Sequence, residues 1–251
     1  MKHPPVIQRR AAGFTLVEMA MVLMIIGLLL AGLLPALSGQ MEQRQTSETR
    51  KQLDEIQQAL MGFAIANGRL PCPATSGSNG EESPAGGGNC TDFYNGFVPA
   101  ATLGITSAGS QGLIMDSWNK PIRYAVANNA VSGVTNTFTS TNGMRNATME
   151  NIASTDLLNI CESATGITSS DCGTAANRLT SKAPALVFST GKNGGYGGTG
   201  ADEAANLDGN RVFVSHQPAP DTSANGEFDD LFIWLSPSIL FNRMVMAGKL
   251  P

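Results

Sequence analysis

The hydrophobic and polar positions divide the chain into three stretches of different period. Residues 14–37 are apolar at almost every position and hold a single charge, Glu18. A helix of about 20 apolar residues reaches across the hydrocarbon of a bilayer, so this run is long enough to span one. From residue 38 the pattern becomes amphipathic. Leu53, Ile56, Leu60, Phe63 and Ala64 recur at three- and four-residue steps, with Glu42, Arg44, Glu48, Arg50, Lys51, Asp54 and Glu55 between them. The spacing predicts one helix continuing through 38–66, stopped at Asn67-Gly68 with Pro71 beyond. Gly27, Gly32 and Pro35 are where it is expected to bend or locally melt, because Pro removes a backbone bond and crowds the preceding turn.

Beyond residue 67 the apolar runs are short and bounded by turn residues. Strands are expected at 122–127, 185–189, 212–215 and 231–235. Residues 71–95 read as a Gly/Ser/Pro-rich loop, 132–148 as a polar hairpin or loop, and 155–163 as a short helix. Ser236-Pro237 reads as an N-cap with Pro at the first helical position, opening a helix to about Met246. The fold class is α+β: a long N-terminal helix, its first half transmembrane, laid across a mostly antiparallel sheet with loop-rich insertions. The chain is thereby organised as 1–13, 14–37, 38–66 and a globular domain at 67–251.

Composition narrows the setting. Charged residues make up 14% of the chain, against roughly 25% in an average soluble domain. The 28 glycines and the Ser, Thr and Asn of the second half describe a loop-rich domain outside the cytoplasm. With a net charge of −4 and no basic cluster past Lys51, nucleic acid is not an expected partner. The 4 cysteines, at 72, 90, 161 and 172, form no C-x-x-C pair, which leaves a zinc site little support. Two disulfides suit an exported domain, and the local pairs Cys72–Cys90 and Cys161–Cys172 are favoured among the three connectivities. Each closes a loop of roughly 11 to 19 residues, stabilising by about 3 kcal/mol. Four buried thiols are the alternative.

Lys2, Arg9 and Arg10 precede the apolar run, which places the N-terminus in the cytoplasm and everything after about Gln40 outside. A secretory signal has a shorter core with small residues after it; here Ala11-Ala12-Gly13 stand before the core. By length and flanks alone, a plain signal anchor fits equally well. Glu18 tips the balance, because a carboxylate within a membrane helix normally has a partner or a role. No Lys or Arg lies within reach along the helix. Cleavage after Gly13 creates a cation, the α-amino group of Phe14. In a stack of parallel helices, Glu18 of one subunit can neutralise the amino terminus of its neighbour.

Gly13-Phe14-Thr15-Leu16-Val17-Glu18, with Gly27 and Pro35 beyond, resembles the prepilin peptidase segment of type IV pilins and type II secretion pseudopilins. The resemblance implies a pilin-like fold, cleavage after Gly13, N-methylation of Phe14 and a requirement for Glu18 in assembly. It implies as partners other pilin or pseudopilin subunits, a separate prepilin peptidase, an inner-membrane assembly platform, and membrane lipid before assembly. The implied location is the bacterial inner membrane, single-pass with a periplasmic domain, and then a pilus or periplasmic pseudopilus. The subunit it implies is structural, not enzymatic.

Two further stretches are similar to the major pseudopilin layout. Asp116-Ser117-Trp118-Asn119-Lys120-Pro121 resembles an Asp-Pro-Trp-Gly-x-Pro turn, without its first Pro and its Gly. Residues 189–208 resemble a Gly-rich loop that binds calcium in some members. The acidic residues here read first as a solvated loop; the alternative is a calcium site, to which Asp202, Glu203 and Asp208 could supply oxygen ligands, with Asp229 and Asp230 able to join them or simply to cap a turn. These departures, the larger domain and the lack of a C-terminal cysteine pair point to a minor or specialised subunit.

Other chemistry is poorly supported. Gly195-Tyr196-Gly197-Gly198-Thr199-Gly200 fits G-x-G-x-x-G, but the segment after it, 201–210, is short and acidic. Thr190-Gly191-Lys192 lacks the first Gly of a P-loop. With 2 histidines, one of them His3 in the leader, His216 alone makes no hydrolase triad. The competing reading is a membrane-anchored binding or enzymatic domain unrelated to filaments.

Overall fold

The computed structural model describes residues 13, 15–106, 109, 111–194 and 200–250; of residues 30–38 it describes the backbone alone. The leader at 1–12 and Phe14 lie outside the described residues. The chain divides into two compact units, Met1–Gln45 and Thr46–Pro251.

The first helix, α1, runs Leu16–Asn67 for 52 residues. Its end matches the sequence expectation: Gly68 takes φ +71° and its N–H donates to the Ala64 carbonyl at 2.8 Å. The local melting expected at Gly27, Gly32 and Pro35 is not seen, and the helical assignment is unbroken. Pro35 removes one ladder bond, whereas the Leu, Met and Ala around it are strong helix formers. The large apolar side chains of 16–29 are exposed, from 46% for Val22 to 88% for Leu16. Among the described residues, no helix is long and apolar enough to cross a membrane. The expected span at 14–37 therefore lacks support here. Its described side chains, 16–29, fall short of the ~20 residues needed, and the rest lie outside the description.

Within the second unit α1 buries Leu53, Ile56, Leu60 and Ala64 of the stripe anticipated from the three- and four-residue steps; Phe63 of that stripe is half-buried, and Met61, outside it, is buried as well. Each fully buried Leu or Ile contributes about 1.5–3 kcal/mol relative to exposure. Polar residues beside the stripe fix its docking. Gln52 Nε2 donates to the Met115 carbonyl at 2.9 Å and Gln57 Nε2 to the Trp234 carbonyl at 3.0 Å.

Two sheets complete the second unit. Strands β1 (Gly96–Phe97), β2 (Arg123–Val126), β5 (Ala185–Ser189) and β7 (Leu231–Trp234) form an antiparallel sheet in the order β1-β2-β5-β7. Strands β3 (Leu158–Cys161), β4 (Arg178–Ala183) and β6 (Val212–Val214) form a second sheet, β4-β3-β6, in which β3 and β6 run parallel. Phe188 of β5 links the two sheets, stacking on Phe232 at 4.7 Å and meeting Phe213 edge-on at 5.9 Å. The short helices are α2 (Ala100–Leu103), α3 (Met149–Ser154), α4 (Ala201–Ala205) and α5 (Pro237–Met246).

The helix expected at 155–163 is instead strand β3, with α3 ending before it. All four residues of β3 are buried, and β4 and β6 pair with both of its edges. A short apolar run buried on every side does not reveal its period. Ser236 and Pro237 open α5 as expected, although the Ser236 side chain makes no capping bond.

Disulfides join Cys72 to Cys90 and Cys161 to Cys172. The first ties down the loop at 71–95 beside a buried ion pair. Arg69 meets both carboxylate oxygens of Glu82, at 2.6 and 2.7 Å, and Glu82 also accepts the Cys72 N–H. Burial pushes the Glu82 carboxyl up, but Arg69 and the backbone donors outweigh it, leaving the group below the usual carboxylate range.

Candidate functional site

Two constellations merit chemical attention, one at the N-terminus and one in the loops around α4. At the N-terminus, Thr15 stands immediately before α1, and its carbonyl accepts the Met19 N–H at 3.2 Å. Its hydroxyl oxygen accepts the Glu18 N–H at 3.2 Å, while the Glu18 carboxylate accepts the Thr15 N–H at 2.9 Å and the Thr15 hydroxyl at 2.9 Å. This reciprocal pair is a capping box, which satisfies two orphan donors of the first turn. Sequence reasoning looks for a cationic partner of Glu18 and misses this neutral one. The available signal is the Thr15-x-x-Glu18 spacing. Gly13 is exposed beside it.

The second constellation is acidic. Glu203, in the first turn of α4, is buried at 1% exposure, and its carboxylate accepts Asn193 Nδ2 at 3.0 Å and the Asp229 N–H at 3.0 Å. Asp229 Oδ2 accepts the N–H groups of Lys192 and Asn193. Asp230, 5% exposed, accepts Asn206 Nδ2 at 2.7 Å. Ligand oxygens of Glu203, Asp229 and Asp230 all lie within 4.8 Å of one another. The loop can close this far only with glycine at 191: its φ is +60°, and a Cβ there would collide with the Asp229 carboxylate.

Electrostatics work against the cluster as it stands. Burial raises the Asp229 carboxyl to about 6, with Glu203 and Glu227 adding repulsion. Burial likewise pushes Asp230 well above the usual range, with Glu203 and Asp229 contributing, against the Asn206 hydrogen bond. Asp229 Oδ1 and Asn193 Oδ1 are buried and accept no hydrogen bond. Unpaired buried acceptors of this kind suit a hard cation with oxygen ligands, such as calcium.

The structure regroups the candidate ligands. Glu203 joins Asp229 and Asp230, whereas Asp202 turns away to His216 Nε2 at 3.1 Å and to Asn225 Nδ2 at 3.0 Å. His216 stacks on Phe228 at 3.9 Å. Asp208 is exposed and bonded within its own turn to Asn210. Adjacent positions 202 and 203 on one helical turn point in different directions, so sequence proximity overcounts the ligands. Residues 195–199 of the Gly-rich stretch lie outside the described residues. A short helix, α4, does come after them, but its first turn carries Asp202 and Glu203, which repel a phosphate.

The other pseudopilin-like stretch is a turn locked by its first residue. Asp116 Oδ1 accepts the N–H groups of Trp118 and Lys120, Asp116 Oδ2 accepts the Ser189 hydroxyl, and Asn119 takes φ +60° where glycine is easier. Burial raises the Asp116 carboxyl despite those donors. Ser189 opens the Gly-rich loop, so the two family-like stretches touch.

Residues 8–34 match the family model described as the prokaryotic N-terminal methylation motif. That motif is the prepilin-type segment of type IV pilins and pseudopilins, and by it the chain is similar to those exported proteins. No curated protein and no solved structure matches the chain.

Proposed function

We propose that the chain is the precursor of a structural filament subunit, a minor component of a type IV pilus or a type II secretion pseudopilus. The match at residues 8–34 carries this reading. The exposed apolar surface of 16–29 supports it, since side chains left uncovered by the other described residues call for lipid or for other helices. In this account prepilin peptidase cuts after Gly13, and Phe14 becomes the N-methylated terminus. The apolar segment is held in the inner membrane, with the basic leader cytoplasmic and the domain periplasmic. The assembly platform then extracts it into a bundle of other subunits, where packed neighbouring helices replace lipid around its apolar side chains. Cleavage also frees the Phe14 amine, which Glu18 of a neighbouring copy can neutralise. The role is structural, and no step of it requires catalysis by this chain.

Substituting Gly13 by Asp tests the reading. The variant is expected to stay at full precursor mass and to be missing from sheared filaments. A variant that is processed and assembled normally overturns it, and normal function of an unprocessed variant favours a signal-anchored domain instead.

A second reading attaches to the acidic loop: Glu203, Asp229 and Asp230 hold calcium. The two unpartnered buried oxygens of Asp229 and Asn193 support it. Addition of calcium at neutral pH is expected to raise the melting temperature, and Asp229→Asn to abolish that rise; an identical melt with calcium or chelator rules the site out.

A further inference from the structure

The second unit gathers its exposed apolar side chains in one place. Among the described residues from Thr46 onward, the exposed large hydrophobics are Met149, Leu179, Ile239, Val245 and Met246, and all but Leu179 belong to α3 or α5. Surface hydrophobics scattered singly are ordinary, whereas a contiguous group of this kind marks a contact surface. The exposed side of helix α5 mixes Ile239, Val245 and Met246 with Ser238, Asn242 and Arg243. Leu240, Phe241 and Met244 face the core, while Ile239 at 54% and Met246 at 81% share the opposite side, seven residues apart.

Beside them lies a groove of about 430 Å³ between the start of α3 and one face of α5, with Phe241, Val245 and Met149 among its walls and Leu250 at its end. Its one charged lining residue is Arg145, which is exposed and has no ion-pair partner among the described residues. Among those residues no acidic side chain lines the groove; α5 carries no acid in its first turn, while α3 carries the exposed Glu150 next to Met149. The neighbouring cations Arg243 and Lys249 are held by Gln58 and by the Ala66 carbonyl. A positive, apolar groove on a chain of net charge −4 is a local departure that selects its partner.

We infer that this groove receives an acidic amphipathic segment of another protein, one apolar side chain seated between α3 and α5 and a carboxylate facing Arg145. A concave slot with a single cation at its wall suits a helix or strand that inserts an anchor. A flat lipid surface would leave the slot unfilled and calls for several basic residues. The inference concerns the exported domain alone and holds whichever filament, if any, the chain joins.

Replacing Val245, an exposed residue of the groove wall, by the photoreactive residue p-benzoylphenylalanine in the full-length chain, within its own cells, tests it. Irradiation is expected to yield one protein adduct, with the label mapping to a segment that carries both apolar and acidic residues. Arg145→Glu should lower that yield by about ten-fold, as expected for reversing a complementary interface charge. The same probe at Leu179 should give no such adduct. Arg145 is exposed, so its substitution leaves the fold intact, as intact mass with both disulfides formed will verify. An adduct with lipid, one with a second copy of this chain, one insensitive to Arg145→Glu, or none at all overturns the inference.

Discussion

Two stretches of α1 are built from the same kinds of residue and meet opposite fates. Residues 16–29 expose their Leu, Met, Val and Ile side chains, whereas Leu53, Ile56, Leu60 and Ala64 are buried within their own domain. The difference lies in period. The first stretch is apolar on every face, and no single partner surface within the chain can cover that. The second confines its apolar residues to one stripe, which one sheet can cover. The first half therefore holds free energy that other molecules release, and the second half commits its own to folding.

Alanine at position 60 should separate these roles most sharply. Leu60→Ala is expected to destabilise the domain by about 2–5 kcal/mol in denaturant titration. Leu23→Ala, by contrast, should leave domain stability unchanged and reduce incorporation into filaments. Equal loss of stability in both would dissolve the distinction.

Removing a staple tests how far the domain depends on itself. Replacing Cys161 and Cys172 together by Ala is expected to cost about 3 kcal/mol from the loop it opens, again read by denaturant, with processing of the N-terminus unaffected. Glu18→Ala should act only on the first stretch. The variant is expected to be cleaved, because Gly13 is intact, but to enter filaments several-fold less well. Normal incorporation would mean that the carboxylate serves the Thr15 capping box alone.

The smallest effect concerns pH. The Asp229 carboxyl is raised to about 6 in the fold from its ordinary value of 3.8. Between about pH 4 and pH 6 the folded state therefore binds more protons than the unfolded one, and stability falls as pH rises through that window. Melting temperatures in chelator should drop across it, and Asp229→Asn should flatten the slope. Calcium, if bound, opposes the drop by pairing the charges that form. A slope that is unchanged in Asp229→Asn would contradict the assignment.

The long periodic segments are legible from sequence because period alone specifies them. The α1 stripe and strands β2, β5, β6 and β7 all fall where alternation or apolar runs put them. Strand β3 reads as helix because central burial erases its period, and β4 escapes notice because Arg178, Thr180 and Lys182 dilute its pattern. The acidic site is half legible. Its residue types are visible at 202–208 and 229–230, but the partnership of Glu203 with Asp229 and Asp230 depends on a long-range approach made possible by Gly191. Asp202 is drawn in by adjacency and is bound to His216 instead. The Thr15–Glu18 box is fully legible from its spacing, and the search for a charge hides it.

The most direct test of the central claim is the intact mass and N-terminal sequence of the protein recovered from its own cells' membrane and sheared-filament fractions. The account predicts a chain that begins at Phe14, carries one added methyl group and is present among filaments. A chain that still begins at Met1, in cells with a working prepilin peptidase, would contradict it.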